Sequence, residues 1–163
     1  MGFSDDIANF VKKANGNADA VVRKTVLDIG TRLVERTPVG DTEYWVSLNP
    51  RTNIKTHEVE YGRKPPEGYA GGHARANWQH AVGAPVISEV IGTDKEGDRT
   101  IAEIQSSIAA SPPGAVHYIV NSVPYIQALE DGHSRQCPPN GMVAKTALEF
   151  GGIVDAAAQG VNK

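Results

Sequence analysis

Apolar residues return every three or four positions from Ala18 to Leu33, through Val22, Val26 and Ile29. Arg23, Lys24, Asp28, Arg32 and Glu35 fall largely on the opposite flank. That period matches the helical turn and predicts an amphipathic helix over 18–36. Thr37-Pro38 stops it, because a residue before proline is driven out of the helical region. Ahead of it, Ser4-Asp5-Asp6 predicts the cap of a short helix carrying Ile7, Phe10 and Val11 on one side, broken at Asn15-Gly16-Asn17.

Between Glu43 and Gly71 the period changes. Tyr44, Val46 and Leu48 alternate with other residues, as do Val59 and Tyr61, with Asn49-Pro50-Arg51-Thr52-Asn53 between them as a turn cluster. Glu43, Glu58, Glu60 and Glu67 balance Arg51, Lys55, Arg63 and Lys64, and a glycine- and proline-rich stretch from Gly62 to Gly72 closes the segment. The expectation is an exposed hairpin arm over 43–71, inserted into a single domain covering 1–163.

Downstream, Val82 to Ile91 is apolar and β-branched enough to predict a strand, followed by the turn Gly92-Thr93-Asp94. Thr100-Ile101-Ala102-Glu103 has capping-box spacing, and Ile101, Ile104 and Ile108 continue at helical intervals until Ser111-Pro112-Pro113-Gly114. Ala115 to Asn121 predicts a strand with Val116, Tyr118 and Val120 on one face. Pro124 suits the first turn of a helix through Asp131, with Gly132 as its terminator. A polar loop over Asp131–Gly141 leads to a last helix, capped by Asn140 and striped by Val143, Ala147, Phe150 and Val154, with a low-complexity C-terminus expected to fray. The sum is an α+β fold: a small, mostly antiparallel sheet packed against a long N-terminal helix and further amphipathic helices.

Bulk properties narrow the function. At 163 residues with 40% hydrophobic content, the chain has enough apolar material for one real core. A net charge of -3 argues against gripping nucleic acid through a basic surface. One cysteine excludes an internal disulfide framework and fits a reducing cytosol. No run reaches the roughly 20 apolar residues of a membrane span, and Met1 to Lys13 lacks a signal-peptide core, so no membrane partner is expected.

Candidate chemistry is thin. His133, Arg135 and Cys137 share the polar loop, and a thiolate needs such a base or cation beside it. Yet no cysteine-hydrolase signature surrounds Cys137, and Pro138-Pro139 stiffens its flank. His73, His80, His117 and His133 show no paired metal-ligand spacing and read as ordinary surface histidines. Gly68-Tyr69-Ala70-Gly71-Gly72 lacks the lysine and preceding strand of a phosphate loop. No cofactor is expected. Glu130-Asp131 closes a helix where acids oppose its dipole, which points to a partner contact, although solvated charge is the commoner reason. Trp45 and Trp78 have the residue type of interface anchors, with core packing at least as good a reading for Trp78.

Two blocks resemble the tail-completion, or neck, proteins of long-tailed bacteriophages. The first is the long helix running into Arg36-Thr37-Pro38-Val39-Gly40-Asp41-Thr42, continued after the inserted segment by Gly72-His73-Ala74-Arg75-Ala76-Asn77-Trp78. The second is Asn121-Ser122-Val123-Pro124-Tyr125, Leu129-Glu130-Asp131-Gly132-His133-Ser134 and Pro138-Pro139-Asn140-Gly141-Met142-Val143. With the preceding helix they cover about two-thirds of the chain. The insertion and the extra Gly40 depart from the family pattern.

The resemblance implies a non-enzymatic virion protein acting in tail completion and head–tail joining through a ring-like oligomer. Its partners would be further copies and other neck or tail proteins, with genomic DNA passing through unbound. The helix 124–131, the loop after it and the arm would meet neighbours, which makes Tyr44, Trp45, Arg75, Trp78, Tyr125, Glu130, His133 and Arg135 the candidate subunit contacts. A tail terminator or head-closure protein is the nearest alternative. A small hydrolase using Cys137 and His133, and a nucleic-acid-binding module, are the alternatives from other classes.

Overall fold

The computed structural model describes residues 3–41, 51–52, 59–60, 67–133 and 141–161. The architecture is α+β, as expected. Helix α1 spans Phe3–Arg36, and its 34 residues make a rod of about 50 Å at 1.5 Å per residue. The expected break at Asn15-Gly16-Asn17 does not occur. A glycine within a helix costs only about 1 kcal/mol relative to alanine, which a helix already propagating on both sides absorbs. The stop at Thr37 is where the proline places it.

Within the 43–71 segment, β1 (Arg51–Thr52) pairs antiparallel with β2 (Val59–Glu60), with Arg51 opposite Glu60 and Thr52 opposite Val59. Arg51 and Thr52, read from the sequence as part of the turn, are therefore paired strand residues. The chain enters and leaves this segment side by side: a Cβ on Gly71 would collide with the Gly40 carbonyl, and one on Gly40 with the Tyr69 hydroxyl. That close approach accounts for the additional glycine at position 40.

A single turn, α2 (His73–Ala76), leads into β3 (Trp78–Val82). Helix α3 (Asp98–Ala110) is followed by β4 (His117–Asn121), which pairs antiparallel with β3 from Trp78 opposite Asn121 to Val82 opposite His117. The strand expected at Val82–Ile91 is displaced: β3 lies earlier, and 85–91 belongs to no strand or helix. Side chains hold that chain in place. Asn77 accepts from Val90 N–H (2.6 Å) and donates to its carbonyl, and Gln79 donates to the Ser88 carbonyl.

Helix α3 starts at Asp98, without the expected capping box. Asp94 is the acceptor instead, taking Gly97 N–H, Thr100 N–H and the Thr100 hydroxyl, all within 2.9 Å. On β4 the residue packed into the core is Ile119, on the face opposite the expected Val116, Tyr118 and Val120. Helix α4 (Ile126–Glu130) ends as its sequence suggests: Gly132 adopts φ 75°, its N–H bonds the Leu129 carbonyl, and His133 N–H bonds the Ala128 carbonyl. This pair of bonds is a Schellman cap, which requires a left-handed residue at the glycine position.

Helices α5 (Val143–Leu148) and α6 (Phe150–Val161) replace the expected single last helix. At their junction Glu149 takes Arg32 (2.7 Å) and Arg36 (2.6 Å) from α1. The buried stripe is Thr146, Ile153 and Ala157, about one residue round from the expected one, leaving Val143 and Phe150 exposed. The helix runs to Val161 where fraying was expected.

The core gathers Leu33, Val34, Trp78, Ile104, Ile108 and Met142, with Ile119, Ile126 and Leu129 packed around it. Helix α1 reaches α3 and α6 as well as β3. At Gly30 the approach to α3 is close enough that a Cβ would sit 3.1 Å from Ile104 Cγ2. No described helix is long and apolar enough to cross a membrane.

Candidate functional site

Thr37 is the knot of the molecule. It is fully buried at the C-terminus of α1, and its hydroxyl donates to the Leu33 carbonyl (2.6 Å) while accepting from Trp78 Nε1–H (2.6 Å). Met142 Sδ lies 3.1 Å from the same oxygen. The Thr37 carbonyl accepts from Arg75 Nη2 (2.8 Å) and Nε (3.2 Å). The same guanidinium reaches the carbonyls of Glu35, Lys95 and Glu96. Arg75 thereby satisfies the orphan carbonyls at the negative end of the α1 dipole and ties them to the turn before α3. Trp78 is 4% exposed. Both residues, candidates for subunit contact, spend their polar groups and, for Trp78, its ring inside this chain.

Glu130 also turns inward. Its carboxylate accepts from the backbone N–H groups of Met142 (2.6 Å), Val143 (2.9 Å) and Ala144 (2.8 Å), capping α5 across the loop. Gly141, at φ 66°, passes so close that a Cβ there would collide with the carboxylate. Burial pushes the Glu130 pKa up, but the three N–H donors outweigh it and hold the group below the ordinary glutamate value. Its stabilising contribution is therefore full above that ordinary value and lost as pH falls through the lower folded one. Glu130→Gln is expected to cost about 1–2 kcal/mol, since an amide offers one acceptor where three donors converge. A urea titration showing no loss would mean the cap is not needed.

Tyr125 and His133 remain at the surface. Tyr125 is 44% exposed beside α4, and burial of the rest of its ring, then the nearby Tyr69 and Glu89, push its pKa up. Between α4, α5 and the sheet lies an open depression of about 220 Å³. Trp78 forms part of its floor, Ile119, Val120, Ile126 and Val143 its apolar walls, and Gln127 and Glu130 its polar rim. Tyr44, Trp45, Arg135 and Cys137 lie outside the described residues.

A polar cluster escaped the sequence reading. His80, expected at the surface, is 9% exposed, because alternation along β3 turns it inward with Trp78. Its Nδ1 lies 2.7 Å from Ser107 Oγ and its Nε2 2.8 Å from His117 Nδ1, the diagonal neighbour across the ladder. His117 Nε2 is buried without a hydrogen-bond partner among the described residues. The alternating pattern Trp78-Gln79-His80 was the available signal. Among the described residues, no group of three or more His, Cys, Asp or Glu is placed to hold a metal.

Burial, and then the charge of His117, push the His80 pKa below 6.5. Folded His80 thus resists protonation, and its contribution is full above 6.5 and drains as pH falls through the folded value. The slope is at most about 1.4 kcal/mol per pH unit for one proton. His73 has the opposite sign: its hydrogen bond to Glu89, and then that to the Gly92 carbonyl, raise its pKa. Its contribution is full below 6.5 and lost as pH rises through the raised value. In denaturant titrations from about pH 5 to pH 8, His80→Gln should flatten the acid limb and His73→Gln the alkaline limb. An acid limb unchanged in His80→Gln would show that the cluster does not titrate.

No protein-family model, curated protein or solved structure matches the chain.

Proposed function

We propose that this chain is a structural virion protein of the neck of a long-tailed bacteriophage, completing the tail and joining it to the head as part of a ring-like oligomer. The observation that carries the reading is the interlock at Thr37. The residues that resemble neck proteins lie in separate parts of the sequence, yet Thr37 holds Arg75 and Trp78 from across the inserted segment and touches Met142 of the second block. The resemblance therefore falls on residues that share one structural unit, which a chance likeness of scattered short motifs has no reason to do.

In this role the mechanism is geometric. Copies meet through different patches, head to tail, and close into a ring around the genome channel. A net charge of -3 suits a protein past which DNA must slide, since phosphates and carboxylates repel. The reading requires no reaction at Cys137. A phage carrying a nonsense codon at Trp45 tests it: without suppression, lysates should hold heads and tails that fail to join. Infectious joined particles in such lysates would sink the proposal.

A further inference from the structure

We infer that the exposed half of α1 pairs antiparallel with the same half of a second copy: Ile7 of each helix meets Phe10 of the other across a two-fold axis, and Asp6 of each meets Lys13 of the other. The inference goes beyond the neck reading and does not rest on it. A two-fold contact uses the same patch on both copies and closes at two, whereas ring contacts join different patches.

This half is unlike the rest of its helix. Every residue from Ser4 to Gly16 is exposed, whereas from Thr25 onward α1 is threaded into the core. Even so, the exposed half carries an apolar stripe, with Ile7, Phe10 and Val11 at 48%, 70% and 49% exposure. Ile7, Phe10 and Ala14 follow one another at intervals of three and four, the spacing of a seam between two helices. At 1.5 Å per residue the projecting part reaches about 20 Å.

The charges beside the stripe choose the occupant. On a helix that turns by about 100° per residue, Asp5 and Lys12 fall on the side away from the seam and take no part. Asp6 and Lys13 are seven positions apart and share one flank of the seam, while Ser4, Val11 and Ala18 make an uncharged flank on the other side. In an antiparallel pair each flank faces the same flank of the second helix. Setting Ile7 against the second copy's Phe10 then brings Asp6 to the second copy's Lys13, and the two-fold axis repeats both contacts. A parallel pair would set the charged flank against the uncharged one and lose both ion pairs. Opposite charges on one flank therefore select a second copy in the antiparallel sense. The length fits as well. In this register position 4 lies opposite position 13, so the overlap stays within the exposed stretch. It stops short of Asp19, where α1 accepts the Gly114 N–H of its own chain.

The test uses the full-length chain in sedimentation velocity at up to about 1 mM, because a helix pair about 20 Å long is small beside the roughly 800 Å² per partner of a standard interface. The wild-type chain should dimerise. Asp6→Lys and Lys13→Asp each turn both ion pairs into like-charge contacts, and each variant alone should dimerise about tenfold more weakly. Mixed in equal amounts, the two variants should associate as the wild type does, because every flank contact is again between opposite charges. Phe10→Asp, with its charge inside the seam, should weaken dimerisation at least as much at an unchanged melting temperature. The mixture keeps the test decisive if that variant fails to fold. A wild-type chain that stays monomeric, single variants that dimerise like the wild type, or a mixture no tighter than either variant alone would each overturn the pairing and leave the stripe to another occupant. The nonsense-codon lysates judge the virion reading separately.

Discussion

Trp78→Ala is expected to lower the free energy of unfolding by about 4 kcal/mol, in line with the roughly 3–5 kcal/mol lost when a buried aromatic is truncated to alanine. The side chain is 4% exposed and packs with Leu33, Val34, Ile104, Ile108 and Met142, so truncation opens a cavity against several elements at once. It also removes the donor to Thr37. For a domain of about 5–15 kcal/mol total stability, this approaches outright unfolding. Trp78→Phe should cost much less, about 1–2 kcal/mol, because most of the ring volume stays and the Thr37 hydroxyl keeps its bond to Leu33. Chemical denaturation of the isolated protein measures both. A loss below about 1 kcal/mol in the alanine variant would remove Trp78 from the core and return it to the candidate contacts.

Arg75→Ala should cost about 2 kcal/mol. Its bonds to the Thr37 carbonyl are partly buried, and charged hydrogen bonds of this kind are worth roughly 1.5–3 kcal/mol. The bonds to Lys95 and Glu96 are exposed, and water replaces them at little cost. Arg75→Lys should recover less than half of the loss, because a single ammonium on a flexible stem cannot span the end of α1 and the turn before α3 together. If Arg75→Ala left stability untouched but abolished self-association, the residue would be a subunit contact and not a clamp.

These two residues show how much was legible in the sequence. Helical period and a Thr-Pro stop located the C-terminal half of α1, and Pro124 with Gly132 bracketed α4, because those signals are local. The resemblance to neck proteins singled out Arg75 and Trp78, but their partners are Thr37 and the turn at 95–96, and Thr37 is 41 residues from Trp78. Caps were misread for the same reason: Asp94 serves α3 from outside the four-residue box, and Glu130 serves α5 from across a loop. The 82–91 segment has strand composition, yet the side chains of Asn77 and Gln79 take the backbone groups that a ladder would use. His80 faces inward where the sequence suggests the surface, because a lone histidine carries no sign of its facing, which is set by pairing with β4. As for the candidate contacts, Glu130 drew notice in the sequence as an acid at a helix end. Nothing local in the sequence says that its carboxylate points inward to cap α5, or that an apolar depression lies beside it.

The central claim is the proposed place in a phage neck, and a subnanometre cryo-electron reconstruction of phage particles whose genome carries the gene for this chain tests it most directly. The account predicts a ring at the head–tail junction into which the unit of α1, α3 and the β3–β4 pair fits repeatedly. A neck resolved to the same detail with no density for this fold, in particles whose purified protein lacks the chain, would contradict it.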